Sequence, residues 1–145
     1  MTETHQTGAG SFSVSSLREI DVAPGTVAKG LWRLGAGPSG LSDSVPVIVV
    51  NGLEEGPTLW VQGGIHGAEF SAAWSVTSLA KRIDPEELKG KLLLLPTLNV
   101  SALRARQTDS PIDNISLYRA FPGDAAGSYA PHVAYVTSWD LNDEP

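Results

Sequence analysis

The chain has no cysteine among its 145 residues. This absence excludes a disulfide framework and a thiolate nucleophile, so any zinc site must use histidine and carboxylate ligands. No apolar run approaches the roughly 20 residues of a membrane helix, and no basic segment followed by an apolar one marks a secretory signal. We therefore expect a cytoplasmic protein with no membrane contact.

Basic residues are few, since 10 Lys and Arg stand against 16 Asp and Glu, for a net charge of −6. This balance disfavours a broad nucleic-acid surface. Arg104 and Arg106 lie close together in the sequence, and such a pair suits a small anionic ligand better than a polyanion. The composition thus predicts a small-molecule partner and no nucleic acid.

The polar, Gly/Ser/Thr-rich start of the chain predicts a flexible lead-in over residues 1–20. Beyond it, "TVAKGLWRLGAG" and "SVPVIVVNG" are β-branched runs bounded by Gly and Pro, which predicts an antiparallel pair of strands. The stretch "EEGP" predicts a turn, and the "TLWVQGG" that follows predicts a strand buried on both faces.

Helical spacing follows this third strand. Apolar residues recur every three or four positions between Glu69 and Ile83, which predicts a helix whose buried stripe consists of Phe70, Ala73, Trp74, Thr77, Ala80 and Ile83. The run "KLLLLP" predicts another buried strand, which completes a βαβ unit. We therefore predict an α/β fold, in which a mixed sheet has parallel core strands and flanking helices.

The stretch "WVQGGIHGAEFSAAW", residues 60–74, places His66 and Glu69 where the third strand gives way to the helix. Ligands collect at the carboxyl ends of parallel strands in open α/β sheets, and imidazole and carboxylate are both zinc ligands. An ordinary turn with a glutamate in the first helical turn is the alternative, because H-x-x-E alone is a weak motif.

Other candidate residues are less specific. Arg119 in "LYRAFPG" could bind a substrate carboxylate through two parallel hydrogen bonds, or it could be a surface arginine beside a turn. His5 and His132 are isolated histidines, for which solvation is a simpler interpretation than metal binding. The segment after Pro96 carries many turn formers, which favours a long loop that is either functional or disordered.

Three motifs occur together in order, namely "NGLEEGPTLWVQGGIHGAEF", "LKGKLLLLPTLNVSALRAR" and "SPIDNISLYRAFPG". They resemble the succinylglutamate desuccinylase/aspartoacylase family, which is related to the zinc carboxypeptidases. The resemblance implies a zinc-dependent hydrolase that cleaves the amide or ester bond of a small acylated, carboxylate-bearing substrate. It also implies that residues 21–145 are the amino-terminal part of the catalytic domain.

The resemblance assigns roles to particular residues. His66 and Glu69 match the first two zinc ligands of the family, and Arg119 matches the arginine of its Asn-Arg pair, which holds the substrate carboxylate. Tyr118 stands where the family usually has the asparagine of that pair, which implies an altered substrate preference or a lost contact. Thr108 replaces an arginine that steadies the developing oxyanion, a role that Arg106 could take over.

The third zinc ligand of the family is a histidine in an Asp-Leu-His segment, and a general-base glutamate follows it. "WDLND" resembles this segment but has Asn142 in the histidine position, and His132 is a weak alternative ligand. We therefore expect a truncated enzyme with an incomplete zinc-carboxypeptidase-like fold that exposes apolar surface and associates with itself. The alternative is a non-catalytic fragment or carboxylate-binding module.

Overall fold

The computed structural model describes residues 11–142 of the chain. The strands are β1 (Ser11–Val14), β2 (Thr26–Arg33), β3 (Ser44–Asn51), β4 (Glu54–Gln62) and β5 (Lys89–Leu95). The helices are α1 (Phe70–Ala80), α2 (Val100–Ala105), α3 (Leu117–Ala120) and α4 (Tyr129–Leu141), with a short 3-10 helix at Leu17–Glu19. Within residues 11–142, no helix combines the length and apolar character needed to cross a membrane.

The five strands form one sheet in the order β1-β2-β3-β5-β4. Strand β3 pairs antiparallel with both β2 and β5, whereas β1 pairs parallel with β2 and β4 pairs parallel with β5. Helix α1 connects the two parallel strands β4 and β5. These pairings confirm the predicted antiparallel pair, the βαβ unit and the α/β class with a mixed sheet.

The sheet has a core on each face because alternate side chains of a strand point in opposite directions. Val45, Val47 and Val49 of β3 belong to a core that includes Ala130 and Ala134 of α4. The other core is formed by side chains of β3 and β5 with two residues of α1: Ile48, Val50, Leu92, Leu94, Val76 and Ala80. Complete burial of such an aliphatic side chain contributes about 1.5–3 kcal/mol, so the two cores fix the sheet between helices.

Strand β4 corrects two predictions. The stretch "EEGP" is not a turn before the strand but its first half, with an irregular register between Glu54 and Thr58. The strand is also not buried on both faces, because it lies at the edge of the sheet and Leu59 is 57% exposed. An edge position explains why Pro57 is tolerated, since its missing N–H is not needed by a neighbouring strand.

The buried stripe of α1 differs from the predicted one. Phe70 and Trp74 are 51% and 73% exposed. Ala80 is buried as predicted, and Val76, which was not in the predicted stripe, is buried as well. The helix starts close to the end of β4, since a Cβ at Gly63 would lie 2.9 Å from the carbonyl oxygen of Ala72. This close approach favours small side chains on the inner face and leaves the two large rings outside.

Regular structure begins before the predicted boundary at residue 20. Strand β1 pairs with β2 from Ser11 onward, and Leu17 is 6% exposed because it packs into the core of the α4 face. Residues 1–10, which include His5, lie outside the described part of the chain. The long segment after Pro96 is likewise not one loop, because α2 and α3 form within it.

Candidate metal centre

His66 and Glu69 lie in the connection between β4 and α1, at the carboxyl end of a parallel strand. His66 Nδ1 is 3.0 Å from Glu69 Oε1, so the two side chains share a hydrogen bond. Their side chains are 27% and 54% exposed, and both are therefore accessible to a ligand from solvent. The structure thus brings together the two residues that the sequence predicted as a pair.

The loop that carries His66 is held by the residues that follow β5. Gly63 donates a backbone hydrogen bond to Leu95 at 2.8 Å, and Asn99 donates one to Gly64 at 3.0 Å. The Thr97 hydroxyl also donates to the Gly64 carbonyl, at 3.3 Å. Gly64 has a φ of +58°, a left-handed conformation that glycine adopts without strain. The bend before His66 is therefore fixed by the carboxyl end of the neighbouring strand.

Gly67, directly after His66, lies against helix α2. A Cβ at this position would be 2.0 Å from the carbonyl carbon of Ala102 and 2.3 Å from the Leu103 nitrogen. Both atoms belong to the backbone, which cannot move aside as a flexible side chain can. Only glycine therefore allows α2 to pack directly behind the His66 loop.

Helix α3 places Tyr118 beside His66. The centroids of the two rings are 6.2 Å apart and the ring planes are inclined by 58°. Tyr118 is 65% exposed, and the neighbouring Arg119 is also exposed. Helix α3 therefore brings the Tyr118 ring close to His66 and carries the exposed Arg119 at the next position.

Arg106 ends helix α2 in a left-handed conformation, with a φ of 56°. The chain then turns back to the His66 loop, where the Thr108 carbonyl accepts a hydrogen bond from the Gly67 N–H at 3.4 Å. Arg106 is exposed and lies two residues before this contact. The third predicted substrate-binding residue is therefore carried by the segment that borders the site.

A polar cluster of Asp43, Arg104 and Tyr129 was not predicted from the sequence. Tyr129 donates a hydrogen bond to Asp43, whose other carboxylate oxygen lies 3.4 Å from Arg104 Nη1. Burial raises the pKa of the Tyr129 phenol, and the hydrogen bond to the Asp43 carboxylate raises it further. The cluster joins the β2–β3 connection, α2 and α4, so Arg104 has a structural partner rather than a free guanidinium.

Asp113 is a second residue that sequence reasoning missed. Its carboxylate accepts hydrogen bonds from the Ala130 N–H at 2.8 Å and the Ser128 hydroxyl at 2.7 Å, at the start of α4. Burial would raise the pKa of Asp113, but these and further hydrogen bonds from Ser110 and Ile115 outweigh it and lower the pKa. The position of Asp113 directly before Asn114, in a turn-forming stretch, was the available sequence signal for a capping role.

The two weak alternatives for a third zinc ligand do not join the pair. His132 Nδ1 lies 3.2 Å from the Ala125 carbonyl oxygen, and its ring packs beside Gly37. Asn142 ends α4, where its carbonyl accepts a hydrogen bond from Arg18. Within residues 11–142, no three histidine or carboxylate side chains are grouped so that they could hold a metal ion. In this part of the chain the candidate site therefore consists of the His66/Glu69 pair.

The succinylglutamate desuccinylase/aspartoacylase catalytic domain matches residues 55–139, which include all of α1 and β5, all of β4 but its first residue, and His66, Glu69, Arg106, Tyr118 and Arg119. This match spans more than half of the chain, so the protein belongs to the succinylglutamate desuccinylase/aspartoacylase family. The family is one of deacylases. The resemblance seen in the three sequence motifs is thereby confirmed.

Individual relatives agree with this assignment. An N-alpha-acetyl-L-2,4-diaminobutyric acid deacetylase of Halomonas elongata is 37% identical over 90 residues, which are 62% of this chain and 26% of the deacetylase. The structure of an aspartoacylase family protein from Mesorhizobium loti superposes with a TM-score of 0.72 and 31% identity over 82% of this chain and 37% of that protein. The product-bound ectoine utilization protein EutE of Ruegeria pomeroyi gives a TM-score of 0.66 at 30% identity, over 75% of this chain and 34% of EutE. The chain thus spans between about a quarter and two fifths of the length of these relatives.

Proposed function

We propose that this chain supplies the first two zinc ligands and part of the substrate pocket of a zinc-dependent deacylase. The observation that carries the proposal is the 3.0 Å contact between His66 and Glu69 at the carboxyl end of a parallel strand. The substrate class is a small acylated molecule that bears a carboxylate, joined through an amide or ester bond. The family assignment and the acetylated substrate named for the Halomonas elongata relative support this class.

The His66/Glu69 pair has the chemistry that a zinc ion needs. Imidazole nitrogen and carboxylate oxygen bind zinc at about 2.0–2.2 Å, and two atoms 3.0 Å apart can both lie within that distance of one point. The two residues fit two positions of a site that usually has three protein ligands. When bound, zinc would polarise the scissile carbonyl and lower the pKa of a bound water.

The exposed residues around the pair supply groups that bind and orient a substrate. The Arg119 guanidinium can bind a carboxylate through two hydrogen bonds, and the Tyr118 hydroxyl can donate a further one. Arg106 can place a positive charge near an oxygen that becomes negative during acyl transfer. Because tyrosine stands next to Arg119 where the family usually has asparagine, an aromatic ring lies beside His66, and we expect either a different choice of acyl group or amine or the loss of a substrate contact.

A second candidate function is a carboxylate-binding module without catalysis. The observation that favours it is the lack of a third metal ligand grouped with His66 and Glu69 in residues 11–142. In this case, an N-acetylated amino acid would bind through Arg119 whether or not zinc is present. The deacylase proposal instead requires binding of metal to His66 and Glu69.

Zinc titration of the purified chain by calorimetry tests the proposal. We expect weak binding, because only two ligands are grouped, and a loss of affinity of at least roughly tenfold in His66→Ala. His132→Ala is the matched control and should leave the affinity unchanged. Binding that is equally strong in wild type and His66→Ala would contradict the assignment, whereas no binding combined with Arg119-dependent carboxylate binding would favour the module.

We further propose that copies of the chain associate through exposed apolar side chains. Leu59 on edge strand β4 is 57% exposed, and Phe70 and Trp74 on α1 are 51% and 73% exposed. Apolar surface of this kind is stabilised when another molecule covers it. In sedimentation velocity, the mean sedimentation coefficient should increase with protein concentration. Trp74→Glu should shift the distribution toward the monomer. A concentration-independent monomer would contradict this expectation.

A further inference from the structure

Asn99 is a buried amide between the two structures that surround His66. Asn99 is 2% exposed and lies in the chain between the end of β5 and the start of α2. The side-chain oxygen accepts a hydrogen bond from the Ala102 N–H at 3.3 Å, which caps α2. The side-chain nitrogen donates to the carbonyl of Ile65, at 3.2 Å, and Ile65 is the residue directly before His66.

We propose that Asn99 is a positioning residue for His66. One planar amide accepts the Ala102 N–H, which has no partner within α2, and donates to the Ile65 carbonyl in the loop that carries His66. It therefore fixes the distance between the helix and the loop. The inference rests on the proposed role of His66 as a metal ligand. It goes beyond that role because it names the residue that sets the position of this ligand.

The neighbouring contacts explain why this distance matters. On the far side of His66, Gly67 packs directly against Ala102, one turn along the helix that Asn99 caps. The Asn99 N–H also donates to the Gly64 carbonyl at 3.0 Å, so Asn99 holds the loop by its backbone and its side chain. A shift of α2 relative to Ile65 would therefore move the backbone on both sides of the imidazole.

The two halves of the amide can be separated by substitution. Asn99→Asp keeps an oxygen that can cap α2 but loses the N–H₂ donor and turns a carboxylate oxygen toward the Ile65 carbonyl. Asn99→Ser keeps a capping hydroxyl that is too short to serve the same two partners. Asn51→Asp is the matched control, because the Asn51 side chain also donates to a backbone carbonyl, that of Val22 at 2.7 Å. Asn51 pairs with Lys91 near the start of β5, whereas the His66 loop lies at the carboxyl end of that strand.

Two measurements on the full 145-residue chain test the proposal. The first measures the NMR chemical shifts of the His66 ring and of the backbone amides of residues 64–67 in the absence of metal. We expect these signals to shift in Asn99→Asp and Asn99→Ser and to stay in place in Asn51→Asp. The second is zinc affinity by calorimetry, which we expect to fall about tenfold in both Asn99 variants and to change less than about twofold in the control, as is usual when a group that orients a ligand is lost.

The outcomes separate the positioning role from a structural one and from the proposed function. If Asn99→Asp leaves both the loop signals and the zinc affinity as in wild type, Asn99 only caps α2 and the proposal is overturned. If Asn51→Asp disturbs the loop as strongly, the effect is general destabilisation, which also overturns it. If wild type binds no zinc, the metal proposal fails, but the metal-free NMR comparison still decides whether Asn99 positions His66.

Discussion

Replacing Gly67 with alanine should lower the free energy of unfolding by about 3 kcal/mol and separate His66 from Glu69. The added Cβ would lie 2.0 Å from the Ala102 carbonyl carbon, and 2.3 Å from its oxygen and from the Leu103 nitrogen, so either α2 or the loop must move. A movement of the loop shifts His66 relative to Glu69, which lies at the start of α1. Urea denaturation followed by circular dichroism measures the stability, and the His66 NMR signals report the site.

Gly40→Ala separates this steric effect from the general cost of replacing a glycine. Gly40 has a φ of +70° but nothing within 4 Å of an added Cβ, so its substitution introduces backbone strain without a clash. We expect a cost of about 1 kcal/mol there and no change at His66. Equal effects of the two substitutions on stability, or unchanged His66 signals in Gly67→Ala, would show that α2 adjusts freely to the loop.

The His66/Glu69 pair could be predicted from the sequence because both members lie within one strand-to-helix connection. A spacing of three residues across a glycine-rich turn restricts the two side chains to the same neighbourhood, whatever the remaining fold. The parallel neighbours β4 and β5 were predictable for a similar reason, since a buried run, a helix and a second buried run almost always form a right-handed crossover. Local constraints therefore identified the centre of the site.

The surroundings of the pair depend on contacts between distant residues, which no local pattern specifies. Asn99 contacts Ile65 across 34 positions, and Tyr118 reaches His66 across 52, which is 118 minus 66. The edge position of β4 is a property of the sheet order, so its apolar residues could not be distinguished from those of a buried strand. The predicted burial of the two aromatic rings of α1 was wrong for the same reason. Helical spacing shows that some residues share a face, but it does not show which face packs against the sheet.

The stretch "DNIS" contains a left-handed turn residue. Asn114 has a φ of 55°, which lies in the left-handed region. Asparagine tolerates this region better than most residues, so the turn is preserved. The preceding Asp113 can then reach the first turn of α4, where its carboxylate accepts the Ala130 N–H.

Asp113→Ala should lower the free energy of unfolding by about 2 kcal/mol, because it removes the carboxylate that caps α4 from outside the helix. The lost hydrogen bonds come from the Ala130 N–H and the Ser128 hydroxyl, and the negative charge also interacts favourably with the helix N-terminus. The turn of residues 110–115 is tied to α4 through this residue. Urea denaturation at neutral pH measures the loss, and a cost as small as that of an exposed surface substitution would contradict the capping role.

The same carboxylate should make stability depend on pH in a defined direction. Folding lowers the pKa of Asp113 below its ordinary value of 3.8, so the folded chain binds the proton less readily than the unfolded chain. The stabilisation is therefore fully present at pH values above the pKa of the unfolded chain and is lost as the pH falls through the lower pKa of the folded chain.

The difference in unfolding free energy between wild type and Asp113→Asn should be constant above about pH 5. It should shrink as the pH falls below the pKa of Asp113 in the unfolded chain. Asp84→Asn makes the same charge change in a local turn, where the Asp84 carboxylate accepts the Glu86 N–H, and it should show a smaller difference throughout. A difference between wild type and Asp113→Asn that stays constant down to the lowest pH at which the chain is folded would mean that folding does not lower the pKa of Asp113.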